Sequence, residues 1–458
     1  MRVARGFGVL AAMALTLTVA ACGGEPDAGP SSRSTPSPST SPSISGSPSA
    51  SGEPVTLTFG VYGDKSLVKA YRRIAEAYTD TDPDLTLKIR SWPDEESMVT
   101  DLASGGKAPD VFLAPGASLS DLIDAGINQP VDSYLDARSV DLGDGYSRTA
   151  IEDFSRDKHL QCMPYLVSPL VVYVNTDLVD FAAMRQQGLP APDPENPKAD
   201  SWSIEQFAAA LQYASRPKQG IRGVYVEPTV GGIAPWLIGA GGSLLDDAAA
   251  PTRTAFGDSK DALSQILDVL DTGRYRLRAS GPSQALAAFE RGELATIVGD
   301  RSLVPALRKA KGLNWDVMAL PGGGGTTGDY TGLCLGAHPS DADAAADFLT
   351  YLISDDAVGR LSQSGSVVPV NQKVAYDDAF LQPGRAPSHA QLFTDALKGM
   401  RPLPSVRILD QLERAVGPEV RKLLTASGRN QLDELSATID ADSQPVFGGP
   451  SPSSTPTP

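Results

Sequence analysis

Histidine and cysteine, the side chains that most often serve as metal ligands or nucleophiles, are sparse in this sequence. The three histidines stand at positions 159, 338 and 389, too scattered to form a histidine-rich metal cluster. Three cysteines are also too few for a disulfide-built scaffold. We therefore expect no metal site, and each histidine is best interpreted as a surface or packing residue.

Two glycine-containing segments approach phosphate-binding motifs, but neither completes one. Residues 106–107 (Gly-Lys) are followed by alanine, where a P-loop requires serine or threonine. Residues 323–328 have dinucleotide-binding spacing, which requires a strand before and a helix after the glycines. A strand-like stretch precedes them at 316–320, but residues 330–337 are strand-like as well. The segment predicts a glycine loop, and no cofactor is expected.

Carboxylates are the most abundant reactive groups. Asp341, Asp343 and Asp347 have calcium-like spacing, yet Ala345 stands where a further oxygen ligand belongs. They fit better as acids near a helix N-terminus, where the helix dipole favours negative charge. Pairs such as 246–247 are too common in an acidic chain to mark an acid/base site, and no Gly-x-Ser-x-Gly motif is present. We predict that the protein is not an enzyme, with a secreted enzyme as the weakest alternative.

Length and charge narrow the class of protein further. A chain of 458 residues, 41% hydrophobic, favours two domains with sizeable cores. The 55 acidic and 39 basic residues give a net charge of −16. Because a surface this negative repels phosphate backbones, no nucleic-acid partner is expected.

The N-terminus has the features of an export signal over residues 1–21. Arg2 and Arg5 precede an apolar stretch at 7–19 that is short for a membrane span. Residues 19–23 (Val-Ala-Ala-Cys-Gly) resemble the lipobox of bacterial lipoproteins. The resemblance implies cleavage before Cys22 and a diacylglycerol thioether on it, which would anchor the protein to the outer face of the cell membrane. An ordinary signal peptide is the alternative.

Low-complexity segments flank the predicted folded part. Residues 22–53 are rich in serine and proline and have little apolar surface to bury, so they predict a disordered tether. Residues 446–458 predict a second disordered tail. The folded domain is therefore expected over residues 54–445.

The folded part opens with alternating strand-like and helix-like patterns. Strands are predicted at 55–59, 85–89 and 110–113, with helices at 67–78 and 95–103. This βαβαβ order favours an α/β fold with a mostly parallel sheet and a ligand at the strand C-termini. Further elements are predicted at 203–207 (a helix start with Ser203 as N-cap), 294–298 (a strand) and 342–353 (a helix).

Short motifs along residues 55–440 occur in the order found in one protein family. The chain resembles the extracellular solute-binding proteins of sugar-type ABC importers, the maltose-binding-protein-like family. Each motif is short, and their shared order carries the resemblance. The motifs are residues 59–65 (FGVYGDK), 107–112 (KAPDVF), 163–178 with its MPY and VYVNTDL segments, 201–207 (SWSIEQF), 235–242 (PWLIGAGG) and 287–300 (AAFERGELATIVGD).

The resemblance implies a fold and a function. Two lobes, each a mostly parallel sheet flanked by helices, would be joined by crossing hinge strands near 163–168 and 331–335. The monomer would capture a mono- or oligosaccharide between the lobes and deliver it to an ABC permease. A non-sugar solute, such as an anion, amino acid or metal complex, is the alternative. The expected lobes are an N-lobe of 54–162 plus 336–385 and a C-lobe of 166–330 plus 386–445.

Sugar capture calls for aromatic faces, and four residues are candidates. In the resemblance, Trp236 lies in the segment that carries a sugar-stacking tryptophan. Core packing is its alternative role, because its neighbours are apolar. Tyr62 follows the first strand directly and could supply a second face. Tyr165 and Tyr330 flank the expected hinge.

Polar candidates for the sugar hydroxyls follow two strands. Asp64 and Lys65 come after the first strand, with a solvated turn as their alternative role. Asp300 and Arg301 follow the strand at 294–298, where the family often has a tryptophan, so they suggest a more polar or charged ligand edge. Arg301 could also bind a carboxylate or phosphate. Residues 406–412 lack another tryptophan that the family often carries, which argues against maltodextrin as the ligand.

The resemblance also implies a disulfide between Cys162 and Cys334. With Cys22 lipidated, these two cysteines remain in a protein exported to an oxidising space. In the resembling fold the two crossing strands that carry them run side by side at the hinge. Two separate buried thiols are the alternative.

Overall fold

The structure, a computed structural model, describes residues 54–143, 145–193, 201–270 and 275–448. The predicted signal, the whole of the predicted tether including Cys22, and the end of the predicted tail lie outside the described residues. Among the described residues, no helix is both long and apolar enough to span a membrane.

The strands are short and distributed along the whole described chain. They are β1 (Val55–Tyr62), β2 (Leu85–Trp92), β3 (Val111–Pro115), β4 (Asn128–Gln129), β5 (Ser155–Arg156), β6 (His159–Leu160), β7 (Met163–Val167), β8 (Val171–Asn175), β9 (Arg222–Val224), β10 (Leu294–Gly299), β11 (Trp315–Met318), β12 (Thr326–Gly328), β13 (Tyr330–Gly336), β14 (Val368–Pro369) and β15 (Met400–Pro402).

Helices alternate with these strands. They are α1 (Lys65–Thr79), α2 (Glu95–Ala103), α3 (Leu119–Asp124), α4 (Asp132–Ala137), α5 (Arg148–Asp153), α6 (Phe181–Gln186), α7 (Ile204–Ala214), α8 (Val230–Gly239), α9 (Lys260–Leu270), α10 (Pro282–Glu290), α11 (Val304–Leu307), α12 (Ala342–Leu352), α13 (Asp355–Ser362), α14 (Gln372–Ala375), α15 (Asp378–Leu381), α16 (Leu392–Asp395), α17 (Val406–Leu423), α18 (Ala426–Arg429) and α19 (Leu432–Ser443).

Two mixed sheets form the centres of the two lobes. The first-lobe sheet has the order β14-β7-β13-β3-β1-β2, with β4 paired to β13. In it β1 runs parallel to β2 and β3, whereas β13 runs antiparallel to β3 and β7. The second-lobe sheet has the order β11-β8-β10-β9, and its β9–β10 pair is parallel. The expectation of mostly parallel sheets therefore holds only for β1–β3 and for the β9–β10 pair. The β14–β7, β10–β8 and β11–β8 pairs are antiparallel, so both sheets are mixed.

Local sequence signals explain the helix starts. Asp64 caps α1, Asp94 caps α2 and Ser203 caps α7, where Gln206 completes a capping box. The predicted helix at 95–103 has the bounds observed for α2. Asp341 caps α12, as expected for acids at that position.

Period-two alternation in the second sheet divides its side chains between two cores. Val172 and Val174 of β8 belong to the second-lobe core, which also includes α7, α8, α9, α17 and α19. Val171 and Tyr173 belong to the first core, which continues from the first-lobe sheet. Successive strand residues point to opposite faces, so one strand contributes to both cores.

The chain crosses between the sheets at residues 168–170 and 326–329. Ser168 N donates to Asp329 O (2.9 Å), and Leu170 N donates to Thr327 O (2.9 Å). A Cβ on Gly328 would collide with the carbonyl oxygen of Ser168, so the two crossing segments approach closely only because this residue is glycine. The expected hinge strands are thus displaced: β7 and most of β13 lie within the first-lobe sheet, and the crossings flank them.

A disulfide joins Cys162, which precedes β7, to Cys334 in β13. The two Cα atoms lie 4.3 Å apart, and both side chains are fully buried. The strand pairing explains the proximity, because β13 and β7 are antiparallel neighbours with Leu333 opposite Met163.

The glycine segment at 323–328 ends in β12 and is followed by β13 rather than by a helix. It therefore lacks the helix N-terminus that a dinucleotide site requires. Its last residue, Gly328, takes part in the crossing between the lobes.

Candidate functional site

A cavity of about 550 Å³ lies where the two sheets meet. Its first-lobe wall is formed by residues that follow strands: Tyr62, Gly63 and Asp64 at the end of β1, and 93–95 after β2. These are the C-terminal ends of parallel strands, the place at which α/β sheets bind ligands.

The remaining wall comes from the crossings and the second lobe. Asp300 and Ser302 follow β10, while Asp329 and Thr331 flank the start of β13. Apolar side chains complete the wall at Leu67, Leu113, Leu166, Val167, Leu170, Val367, Val368 and Leu403. The cavity therefore combines an apolar surface with carboxyl and hydroxyl groups drawn from both lobes.

Tyr62 provides an aromatic ring at the cavity. Its hydroxyl lies 3.1 Å from the hydroxyl of Thr331, which holds the ring across β1 and β13. Burial, with a contribution from Glu95, raises the pKa of Tyr62 well above its usual value, so the hydroxyl stays protonated. Gly63 follows with φ 130°, a conformation that glycine adopts readily and that turns the chain into α1.

Two of the cavity's carboxylates are engaged as helix caps. Asp64 accepts hydrogen bonds from Ser66 N (2.7 Å) and Leu67 N (2.8 Å). Burial acts to raise its pKa, but these hydrogen bonds outweigh burial and lower it. Asp94 accepts from Ser97 N (2.8 Å) in the same way. Lys65, predicted beside Asp64, is exposed and does not line the cavity.

Three other carboxylates, those of Glu95, Asp300 and Asp329, have raised pKa values. Burial is the largest cause for each, and it raises the pKa of Asp329 well above its usual range. Glu95 contributes charge repulsion to Asp329, and Asp300 does so to Glu95. Asp300 was predicted from the sequence, but Glu95 and Asp329 were not. Glu95 is the second acid after β2, and Asp329 directly precedes β13.

Trp236 lies elsewhere. Its side chain is 1% exposed in α8, and its ring stacks on Phe207 with centroids 5.5 Å apart. It belongs to the second-lobe core and does not line the cavity. The structure therefore gives Trp236 the packing role that was its alternative, because α8 is apolar on nearly every face.

Arg301, Tyr165 and Tyr330 are also buried away from the cavity. The Arg301 guanidinium stacks on the Phe380 ring, 3.9 Å from its centroid, and donates to Phe380 O (2.5 Å). Burial lowers its pKa to about 10. A 3-10 turn at Arg301–Leu303 directs Asp300 to the cavity and Arg301 to the core. Tyr165 in β7 and Tyr330 in β13 pack within the first core.

The cavity wall is acidic. No lysine, arginine or histidine lines it among the described residues. The charge of Lys309 reaches Asp64, which already caps α1. The described residues also contain no group of three or more histidine, cysteine or acidic side chains that could hold a metal ion.

Comparison with known proteins assigns the chain to a family. The family of bacterial extracellular solute-binding proteins matches residues 73–387, more than half of the chain. The chain belongs to this family. A maltotriose-binding protein from Pyrococcus abyssi is 22% identical to this solute-binding protein over 146 residues. That alignment covers 31% of this chain and 32% of the relative, so the chain spans about a third of the length of the curated relative it matches.

Solved structures share the fold of this solute-binding protein. An ABC substrate-binding protein from Listeria monocytogenes in complex with cycloalternan has a TM-score of 0.69 at 17% identity, covering 86% of this chain and 99% of the other. The GacH receptor of Streptomyces glaucescens, solved unliganded and with acarbose, has a TM-score of 0.69 at 20% identity, covering 86% and 98%. The Thermus thermophilus maltotriose-binding protein, bound with maltotriose, has a TM-score of 0.60 at 17% identity, covering 84% and 98%.

The buried charge of Asp329 predicts how the stability of this solute-binding protein depends on pH. Because its pKa is higher in the folded than in the unfolded chain, the folded chain binds more protons above pH ~4. The stability that the protonated Asp329 carboxyl contributes is therefore fully present below pH ~4, and it is lost as the pH rises through the raised pKa of the folded chain. We expect Asp329→Asn, which keeps an acceptor for Ala117 N and Tyr330 N, to raise the melting temperature at pH 7 but not at pH 4.

Melting curves of the two proteins between pH 4 and pH 8 test this expectation. Asp124→Asn, a charge removal at an exposed position, serves as the control. A constant difference between Asp329→Asn and the native protein at every pH would show that the buried charge is not responsible.

Proposed function

We propose that this solute-binding protein captures a carbohydrate in the cavity between its lobes and delivers it to the permease of an ABC importer. The observation that carries the proposal is the cavity at the strand ends, which Tyr62 and Tyr71 line and where hydroxyl groups and carboxylates from both lobes converge. Solved proteins of the same fold were determined with bound saccharides, including cycloalternan and maltotriose.

The wall chemistry suits a pyranose. The ring of Tyr62 and the apolar side chains can cover the C–H faces of a sugar. Asp300, Asp329 and Thr331 can bind its hydroxyl groups, because carboxylates accept and a threonine hydroxyl both donates and accepts. The crossings at 168–170 and 326–329 would let the lobes close on the ligand.

The proposal includes a location. The family assignment places the protein outside the cytoplasm. We propose that Cys22 carries a lipid anchor and that the segment to residue 53 tethers the folded domain, a monomer, to the outer face of the cell membrane. The lipobox-like sequence at 19–23 supports this part of the proposal.

Removing the Tyr62 ring tests the proposed cavity. We expect Tyr62→Ala to weaken saccharide binding about 10- to 100-fold, the range for an aromatic anchor. Tyr376→Ala, at a tyrosine that is 47% exposed and outside the cavity, is the matched control and should bind normally. Isothermal titration calorimetry with the saccharide that raises the melting temperature most measures both. Equal affinities in the two variants would place the ligand elsewhere.

The capture itself is tested first by a saccharide panel. A ligand that binds only the folded chain stabilises it, by about 2.7 kcal/mol when the ligand concentration is 100 times its Kd. This added stability raises the melting temperature. Small-angle scattering with and without that ligand should show a smaller radius of gyration if the lobes close. No stabilisation by any saccharide would contradict the proposal.

A further inference from the structure

An ion pair outside the ligand cavity joins the two lobes. Arg407 donates from Nε to one carboxylate oxygen of Asp121 (3.3 Å) and from Nη2 to the other (3.1 Å). Two parallel hydrogen bonds of this kind give a guanidinium–carboxylate pair a defined direction as well as a defined distance. The side chains are 57% and 27% exposed, respectively, so dissolved salt reaches the pair.

The two partners belong to helices that pack in different cores. Asp121 lies in α3, whose Leu119 and Leu122 are buried in the first core. Arg407 lies in α17, whose Leu412 is buried in the second-lobe core. Because each helix is held by its own lobe, the pair forms only while the lobes are close together. Separation of the lobes at the crossings must break it.

The position of Arg407 is not explained by its own helix. Arg407 is the second residue of α17, after the N-cap Ser405 and Val406. The N-terminus of a helix carries a partial positive charge, so a cation in the first turn is unfavourable. Arg421 and Lys422 of the same helix lie in its last turn, where the dipole favours them. We conclude that Arg407 serves a contact outside α17, and the contact observed is the one to the opposite lobe.

The surroundings of the pair are otherwise acidic. A groove of about 690 Å³ lies between α2, α3 and the start of α17, and it shares Glu95 with the ligand cavity. The first lobe contributes Asp121 and Asp124 to this groove, and the second lobe contributes Asp410. Arg407 is the one basic side chain among the described residues that line it. Without Arg407 the groove would be lined by acids from both lobes and by no cation, so bringing the lobes together would cost repulsion.

We propose that the Arg407–Asp121 pair is a salt-sensitive latch that holds the lobes together and slows release of the bound solute. A solute enclosed between the lobes leaves after they separate, and separation breaks the pair. The apparent affinity for a solute also falls with the fraction of the protein that can adopt the closed form. The role in solute release rests on the proposed function, whereas the effect of the pair on lobe separation can be measured without a ligand.

The first test uses the full chain without a ligand. Small-angle scattering at low ionic strength compares the native protein with Arg407→Gln, and we expect the variant to have the larger radius of gyration. At 1 M salt, where the Debye length is about 3 Å, the two radii should converge because exposed charges are screened. Lys422→Gln is the matched control and should keep the native radius, since Lys422 pairs with Glu419 of the same helix.

The second test uses the saccharide that raises the melting temperature most. We expect Arg407→Gln to release it about three- to fivefold faster in stopped-flow displacement, the upper end of the range for an exposed ion pair. Asp121→Asn should act in the same direction. In the double variant Arg407→Gln/Asp121→Asn the effect should be smaller than the product of the two single effects, because each single change already breaks the same pair. Melting temperatures show that each variant is folded.

The outcomes separate the latch from the proposed function. A salt-sensitive change in the radius of gyration, or a salt-sensitive and non-multiplicative change in solute release, supports the latch. Native radii and native release rates in both single variants overturn it, as do changes that persist at 1 M salt or that multiply in the double variant. If no saccharide binds, carbohydrate capture fails, and the scattering comparison alone then decides the latch.

Discussion

Replacing Trp236 by alanine is expected to lower the free energy of unfolding by about 3–5 kcal/mol, the cost of emptying the place of a buried aromatic side chain. The side chain is 1% exposed and stacks on Phe207 within the second-lobe core. Because it does not line the cavity, ligand affinity of the folded variant should not change. Denaturant unfolding measures the first quantity and calorimetric titration the second.

Trp92→Ala is the matched control for this prediction. Trp92 is only partly buried, lies beneath the Arg90 guanidinium (4.5 Å) and donates to an Asp101 carboxylate oxygen (3.0 Å). Trp92→Ala should therefore lower the free energy of unfolding by less than Trp236→Ala does. A Trp236→Ala protein that melts normally but binds its ligand weakly would return this residue to the sugar-stacking role.

The βαβαβ opening could be predicted because its signals are local. Apolar periodicity marks β1, α1 and β2, and the caps Asp64 and Asp94 mark the helix starts a few residues away. The same periodicity predicts where a strand ends, and ligands bind at strand ends. Tyr62 and Asp64 after β1, and Asp300 after β10, could therefore be predicted as cavity residues.

The rest of the site depends on contacts that are distant in sequence. Glu95 and Asp329 become neighbours only when β13 pairs with β3 in the first-lobe sheet, so neither could be selected among 55 acidic residues. Arg301 is adjacent to Asp300, but its burial depends on Phe380 and Phe393, about 80 and 90 residues later. Trp236 lies in an apolar helix, a pattern that fits a core and a sugar platform equally well.

Loss of the Cys162–Cys334 bond is expected to destabilise the protein by up to about 5 kcal/mol. The bond joins residues 172 apart, and the intervening chain contains the whole second-lobe sheet. Cross-linking a loop of that length removes unfolded-chain entropy equivalent to about 5 kcal/mol at 25 °C, as an upper figure. Both cysteines lie outside the cavity wall, so the double variant Cys162→Ala/Cys334→Ala should melt at a lower temperature yet keep its ligand affinity.

Thiol counting decides whether the bond forms in the exported protein. The Cys22→Ser variant is the appropriate material, because it leaves only these two cysteines. Denatured without reductant, it should show no free thiol, and two should appear after reduction. Because both sulfur atoms are fully buried, reductant added to the folded protein should act slowly compared with its action on the denatured chain. Two free thiols before reduction would mean that the cysteines are separate buried side chains. The double variant would then lose only the small amount of stability that two small cavities cost.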